Sequence, residues 1–366
     1  VHGLAGTPED QTYLKEAVER RGGPGTLVYL ASCNKDKTKD GVAEGGTRLA
    51  HEVLEVVETT PSLSRISLVG NSLGGLYARY AASLLYSEGD GDGLEKSNAP
   101  NGGTVAGLQP EVFMSIASPH LGIRRFTYIP VPGFLHGLAG VFVGKTGSDL
   151  FLADAGKPTP RPPTSAPSVS KASGSRSLRE KPLLYDMATS EEFLKPLKAF
   201  RTRRAYANRR GDFMVPYETA AFLAPSEEDG TYERGHALGS SSDVGSSAEF
   251  GLGERVWGRK QGSIVGASCV PPAAGATAAG TALGSGGVSG MSQNDMEEEM
   301  AAGLNSCGWQ KVAVDFGGLL PFSHNKICAL SRTTLTASLY GSGRNIMDHA
   351  ADCLVAAKRP TGTENE

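Results

Sequence analysis

The chain has 366 residues, 39% hydrophobic and 20% charged, enough apolar material for one substantial core or two modest ones. Lysine and arginine total 36 against 39 acidic residues, so the net charge of -3 gives no electrostatic reason to expect a nucleic-acid partner. Five scattered cysteines without a CxxC pair argue against a disulfide scaffold or a structural zinc site and favour a reducing compartment. No run approaches the roughly 20 apolar residues that span a bilayer, and VHGLAG at the start lacks the basic and apolar regions of a signal peptide.

Residues 1–120 read as alternating strands and helices. Leu27–Ala31 is a short apolar strand candidate, and Leu49, Val53, Leu54 and Val57 recur at helical spacing. Ile66–Val69 is a second strand, Leu73–Leu85 a helix, and Val112–Ala117 a third strand ending at Ser118-Pro119-His120. This order predicts an α/β fold with a mostly parallel sheet and flanking helices. Residues 121–154 are apolar but irregular and suit a lid or covering segment, with packing onto the sheet as the alternative. Residues 157–176, rich in proline and serine, are expected to be a disordered insertion. Folded sequence resumes near Leu183, with a helical pattern through Phe193, Leu197 and Phe200 and a strand at Arg204–Asn208. From 225 to 305 glycine, serine, alanine and acidic residues dominate, which predicts a low-complexity insertion with at most local structure around Val256-Trp257. Trp309–Phe316 is then an alternating strand, and a closing helix runs from about Arg344 to Ala357.

Gly70-Asn71-Ser72-Leu73-Gly74 has the G-x-S-x-G spacing of a nucleophile elbow, with a strand before it and a helix after. So sharp a turn leaves no room for side chains on either flank, lifts the Ser72 hydroxyl above the sheet, and frees the Leu73 N–H to face an oxyanion. A glycine-rich turn with an incidental serine is the alternative. His2-Gly3-Leu4-Ala5-Gly6 is the natural second half of an oxyanion hole, through the N–H of Leu4. The same letters at His136–Gly140 lack a preceding strand and are read as coincidence or covering sequence.

A serine hydroxyl needs a positioned base. Among seven histidines, His324 follows the last strand and precedes the closing helix, the place for a base; His349, inside that helix, is the alternative. His120 follows a strand closely enough to line the site, along with His2, Gly3 and Asn71. Asp212 in RRGDFMVP lies between nucleophile and histidine at a strand end and suits the acid, although a turn role beside Gly211 also explains it. Asp315 and Asp186 are less suitably placed.

These blocks resemble the DUF676 putative serine esterases. The resemblance is carried by HGLAG (2–6), DGVAEGGTRLAHEV (40–53), ISLVGNSLGGLYARYA (66–81), SPHLG (118–122), TGSDLFLAD (146–154), YANRRGDFMVPYETA (206–220), WQKVAVDF (309–316), SHNKI (323–327) and IMDHAADCLV (346–355). It implies a single α/β-hydrolase domain over 1–366, lacking the N-terminal strand or strands that lead into HGLAG. It also implies acyl-ester hydrolysis with Ser72 as nucleophile, Asp212 as acid and His324 as base, and no metal or organic cofactor. Asn71 stands where the family commonly has histidine. Relatives include lipase-like enzymes of membranes and lipid droplets, so a lipid acyl ester is the expected substrate. A cytoplasmic location with peripheral contact at a membrane or lipid droplet is expected; the oligomeric state is left open. Thioester or amide hydrolysis by the same residues, or a decayed hydrolase acting as a scaffold, are the competing readings.

Overall fold

The computed structural model describes residues 1–88, 103–124, 144–156, 181–227, 261–272, 291–317 and 322–357. Most of the stretch expected to form a lid (125–143), the Pro/Ser-rich run at 157–176, His136–Gly140 and Val256-Trp257 therefore lie outside the described residues.

The chain opens with helix α1 (Thr12–Gly22) and α2 (Val42–Thr59), which lead into β1 (Arg65–Asn71) and α3 (Leu73–Leu85). A small antiparallel pair, β2 (Tyr86–Glu88) and β3 (Gly103–Val105), precedes the long strand β4 (Gln109–Ile116). Helices α4 (Lys145–Leu150), α5 (Leu183–Thr189) and α6 (Glu191–Ala199) follow, then β5 (Thr202–Asn208) and the single turn α7 (Tyr217–Ala220). The remainder comprises β6 (Ser263–Val270), α8 (Gln293–Asn305), β7 (Trp309–Asp315), α9 (Ser323–Ile327), α10 (Thr334–Leu339) and α11 (Arg344–Ala356).

Five strands form one sheet in the order β1-β4-β5-β7-β6. The first four run parallel and β6 pairs antiparallel with β7 at the edge. Parallel strands joined by helical crossovers must be covered on both faces, so their side chains are apolar in both directions. In β4, Val112, Met114 and Ile116 face α1 and α11 and pack with Leu14, Val18, Ile346 and Met347. Phe113 points the other way, toward α3, α6 and α8, and meets Phe200 and Trp309 edge-on at 5.6 and 5.9 Å between ring centres. All of these strands end on the same side, so the connections leaving β1, β4, β5 and β7 converge at one end of the sheet, the usual ligand end of such a fold.

Two regions differ from the sequence expectation. Leu27–Ala31 forms no strand: Leu27 and Tyr29 are about half exposed, and a cavity of about 350 Å³ lined by Leu27, Val28, Tyr29 and by Ile66 and Leu68 of β1 leaves the segment without a ladder partner. The β1 edge is occupied beyond that point by Val1, whose N donates to Val69 O at 2.8 Å and whose O accepts from Asn71 N at 3.0 Å.

The second difference lies within 225–305, which holds β6 and α8. Composition hid α8 because its apolar residues are few. Met296, Met300 and Leu304 nevertheless recur every four residues, and that stripe is buried against α5 and the core. The helix opens with a capping box in which Ser292 Oγ accepts from Asp295 N at 3.2 Å.

If α8 belongs to the core, Met300→Ala lowers unfolding stability by about 2–5 kcal/mol. Urea denaturation followed by circular dichroism checks this, with a lower midpoint expected at an unchanged slope.

Candidate active site

Between the last residue of β1 and the first of α3, Ser72 takes φ 54 and ψ -125, a conformation that side-chain-bearing residues rarely adopt. Its N–H donates to Ile116 O at 2.7 Å, which ties the turn to the end of β4. The glycine at position 74 is enforced by the neighbouring loop. A Cβ there would stand 2.7 Å from His2 O and closer still to Val1 O. The loop in turn lies directly on the serine, since a Cβ on Gly3 would be 2.8 Å from Ser72 Cβ. HGLAG and the elbow are thus one packed unit.

Within that loop Gly6 N donates to Gly3 O at 3.0 Å, and Ala5, at φ 50, donates its N–H to Thr38 Oγ1 at 3.0 Å. Among the described residues neither the Leu4 N–H nor the Leu73 N–H donates to any group; Leu73 opens α3, where a helix leaves its first N–H groups unpaired. His2 is buried, with Nδ1 3.0 Å from Gly3 O, and its pKa is lowered chiefly by burial, which favours the neutral ring. Asn71, at the end of β1, is buried and its Oδ1 has no partner.

Asp212 and His324 meet directly. His324 Nδ1 is 2.9 Å from Asp212 Oδ2, and both side chains are almost wholly buried. Asn208 Nδ2 donates to the same oxygen at 2.7 Å, while Met214 N and Val215 N donate to Oδ1 at 3.1 and 2.9 Å. With four donors around it, the carboxylate leaves Nδ1 of His324 as the protonated nitrogen, so Nε2 is the free acceptor. Ser323 N donates to Gly211 O at 3.2 Å and fixes the start of α9 to the turn that bears Asp212. Ser72 and His324 share no hydrogen bond.

The other two histidines considered for the site are engaged elsewhere. His349 lies on α11 with Nδ1 2.9 Å from Tyr206 Oη, packed edge-on against that ring, and burial lowers its pKa. His120 is fully buried: Nδ1 accepts from Arg79 Nη1 at 3.2 Å and Nε2 faces Ser115 Oγ at 2.9 Å. Burial, then the charge of Arg79, push its pKa well below the ordinary value, which favours the neutral ring.

Sequence reasoning passed over Asn208 and Arg332. Arg332 grips Asp10 through Nε and Nη2 at 2.6 and 2.7 Å and donates to Ala5 O at 3.2 Å, linking the chain after α9 to the HGLAG loop. An arginine in a loop carries no periodic signal, and its partner is 322 residues away. Among the described residues no group of three or more His, Cys, Asp or Glu side chains could hold a metal ion, and no helix is long and apolar enough to cross a membrane.

Because the atoms opposing a Cβ at position 74 are backbone oxygens, Gly74→Ala is expected to displace the HGLAG loop and cost about 1–3 kcal/mol. Thermal or urea unfolding against the parent measures it.

A likeness to known proteins covers part of this site. The family profile described as putative serine esterase (DUF676) matches residues 1–226, which includes the HGLAG loop, Ser72 and Asp212, with His324 beyond it. A putative lipase of Schizosaccharomyces pombe is 27% identical over 235 residues, covering 62% of this chain and 26% of the relative. Two putative lipases of Saccharomyces cerevisiae are similar: one is 30% identical over 194 residues (52% of this chain, 22% of the relative), the other 26% over 219 (58% and 28%). The chain thus spans about a quarter of the length of the curated relatives it matches. With a match over more than half its residues, the chain belongs to the DUF676 putative serine esterase family.

Proposed function

We propose that this chain is a serine carboxylic-ester hydrolase of the α/β-hydrolase fold that cleaves lipid acyl esters through an acyl-enzyme on Ser72. The observation that carries the reading is the Asp212–His324 hydrogen bond of 2.9 Å between buried side chains, on the same end of the sheet as the strained turn at Ser72. An acid that orients a histidine, and a serine raised on an elbow, are the parts of one reaction.

In that reaction Ser72 Oγ attacks the ester carbonyl while His324 Nε2 takes its proton. The imidazolium formed is held by Asp212, and the N–H groups of Leu4 and Leu73 receive the negative oxygen of the tetrahedral intermediate. His324 returns the proton to the departing alcohol. Water, deprotonated by the same nitrogen, then attacks the acyl group and releases the acid. Asp212 holds the ring throughout and does not take the proton itself, its oxygens being occupied by the donors of Asn208, Met214, Val215 and His324.

A lipid substrate is favoured by the relatives named putative lipases and by the apolar run containing Phe126, Tyr128, Ile129, Phe134 and Leu135. In this reading the protein works in the cytoplasm at the face of a membrane or lipid droplet.

Hydrolysis of p-nitrophenyl esters tests the chemistry. Ser72→Ala is expected to lower kcat by a factor on the order of 10⁶ and Asp212→Asn by one on the order of 10⁴, and a fluorophosphonate probe should label the parent and not Ser72→Ala. Folded Ser72→Ala protein with the parental rate would sink the reading. For the lipid substrate, the rate on a short-chain ester is expected to rise as substrate passes from monomer to micelle; a flat profile would point to a soluble ester.

A further inference from the structure

We propose that Asn208 is a positioning residue whose side-chain amide locks the Asp212 carboxylate in the orientation that presents it to His324. The inference rests on the reading of Asp212 and His324 as acid and base.

The two oxygens of Asp212 are held by different parts of the chain. Oδ1 takes both its donors, Met214 N and Val215 N, from the turn that follows Asp212 itself. Those two bonds fix one oxygen but leave the other free to swing about it. Oδ2 is the oxygen that faces His324 Nδ1, and its second donor is Asn208 Nδ2 at 2.7 Å. That donor comes from the end of β5, in ladder register with Val314 of β7, so its backbone belongs to the rigid sheet rather than to the turn. The carboxylate is therefore clamped between donors of its own turn and a donor of the sheet, with the sheet's donor on the reacting side.

The state of Asn208 argues that this bond is why an amide stands there. The residue is 1% exposed, and its Oδ1 is buried without a partner. A buried amide with an unpaired oxygen destabilises the fold, whereas leucine would fill similar space without that cost. The strand does not need the amide either, because its ladder bonds come from the backbone. Which end of the amide faces Asp212 is set by chemistry, since only the NH₂ end can approach a carboxylate. What remains for the side chain is the bond to Oδ2. Two donors converging on that oxygen also confine His324 to its remaining lone-pair direction, which fixes the ring and aims Nε2.

The test is steady-state kinetics of the full chain on a p-nitrophenyl ester. Asn208→Leu keeps the bulk and removes the donor; Asn208→Ala is the second variant, relieving any misfit of leucine. Misplaced acid and base should lower kcat on the order of 10- to 100-fold while KM stays within about twofold, because substrate binding does not involve this bond. A folded Asn208 variant with parental kcat, or one in which only KM changes, overturns the inference provided that Ser72→Ala is inactive. Loss of the folded state in both variants overturns it as well, assigning Asn208 to the fold alone. Should Ser72→Ala itself keep the parental rate, the reading of the whole site fails and takes the inference with it.

Discussion

The arrangement depends on a backbone conformation that serine does not adopt unaided. At φ 54 and ψ -125, Ser72 costs about 1–3 kcal/mol relative to relaxed backbone, and something else in the molecule must hold it there. The bond from its N–H to Ile116 O holds one side, and the bond from Asn71 N to Val1 O holds the other. Behind it, α3 buries Leu73, Leu76, Tyr77 and Tyr80 almost completely, so releasing the turn would mean withdrawing a helix from the core. The strain is not confined to the serine. Ala5 in the HGLAG loop, Ala117 after β4 and Ala329 after α9 also carry positive φ, in the segments that leave or adjoin the carboxyl ends of the strands. Strain of this kind persists only where its surroundings over-determine it, and here the surroundings are the two packed faces of a parallel sheet.

Electrostatics separates two histidines at this end of the sheet. His120 abuts Arg79, a buried guanidinium whose pKa is lowered to about 10 by burial and which therefore keeps its charge near neutral pH. A ring that accepts a hydrogen bond from a cation cannot also take up a proton. Its place in SPHLG, close behind a strand, resembled that of a site residue; its surroundings make it a spacer that carries a buried arginine. His324 instead faces a carboxylate, so an imidazolium formed there would meet a counter-charge. Proximity in sequence to a strand end does not distinguish the two rings. Their neighbours do, and those come from distant parts of the chain.

The same point explains what was legible in the sequence. Strands β1, β4, β5 and β7 and helices α2, α3, α6 and α11 show in the apolar pattern, because each buries a continuous face. Gly70 to Gly74 was legible because an elbow imposes local composition. The segment at Leu27–Ala31 has strand composition yet no strand, since a ladder needs a neighbour and composition does not record one. Helix α8 was hidden for the opposite reason: its stripe of Met296, Met300 and Leu304 is sound, but the glycine- and serine-rich sequence before it and the acidic residues within it mask it. Chain order brought Asp212 and His324 forward as candidates, but the bond between them spans 112 residues and could not be read from spacing. Nor could Asn208, which looks like any polar residue before a turn.

Backbone contacts, more than long side chains, set the relation between the parts of the site. The turn that bears Asp212 is gripped on one side through α7: Thr219 O accepts from His120 N at 3.2 Å, and Thr219 Oγ1 accepts from Leu121 N at 2.9 Å and donates to Gly122 O at 2.7 Å. On the other side Gly211 O accepts from Ser323 N, one residue before His324. The exit of β4 is thus bonded both to the elbow, through Ile116 O and Ser72 N, and to the acid's turn, through residues 120–122. Each main-chain link is short and directional, and each joins segments that leave neighbouring strands. The register of the sheet therefore propagates into the site: the ladder that pairs Asn71 with Ile116, Ile116 with Tyr206, and Asn208 with Val314 also determines where serine, acid and histidine emerge. A shift of one strand by one residue would exchange its two packed faces and separate these groups in the same step, so the packing that stabilises the fold also enforces the geometry of the site.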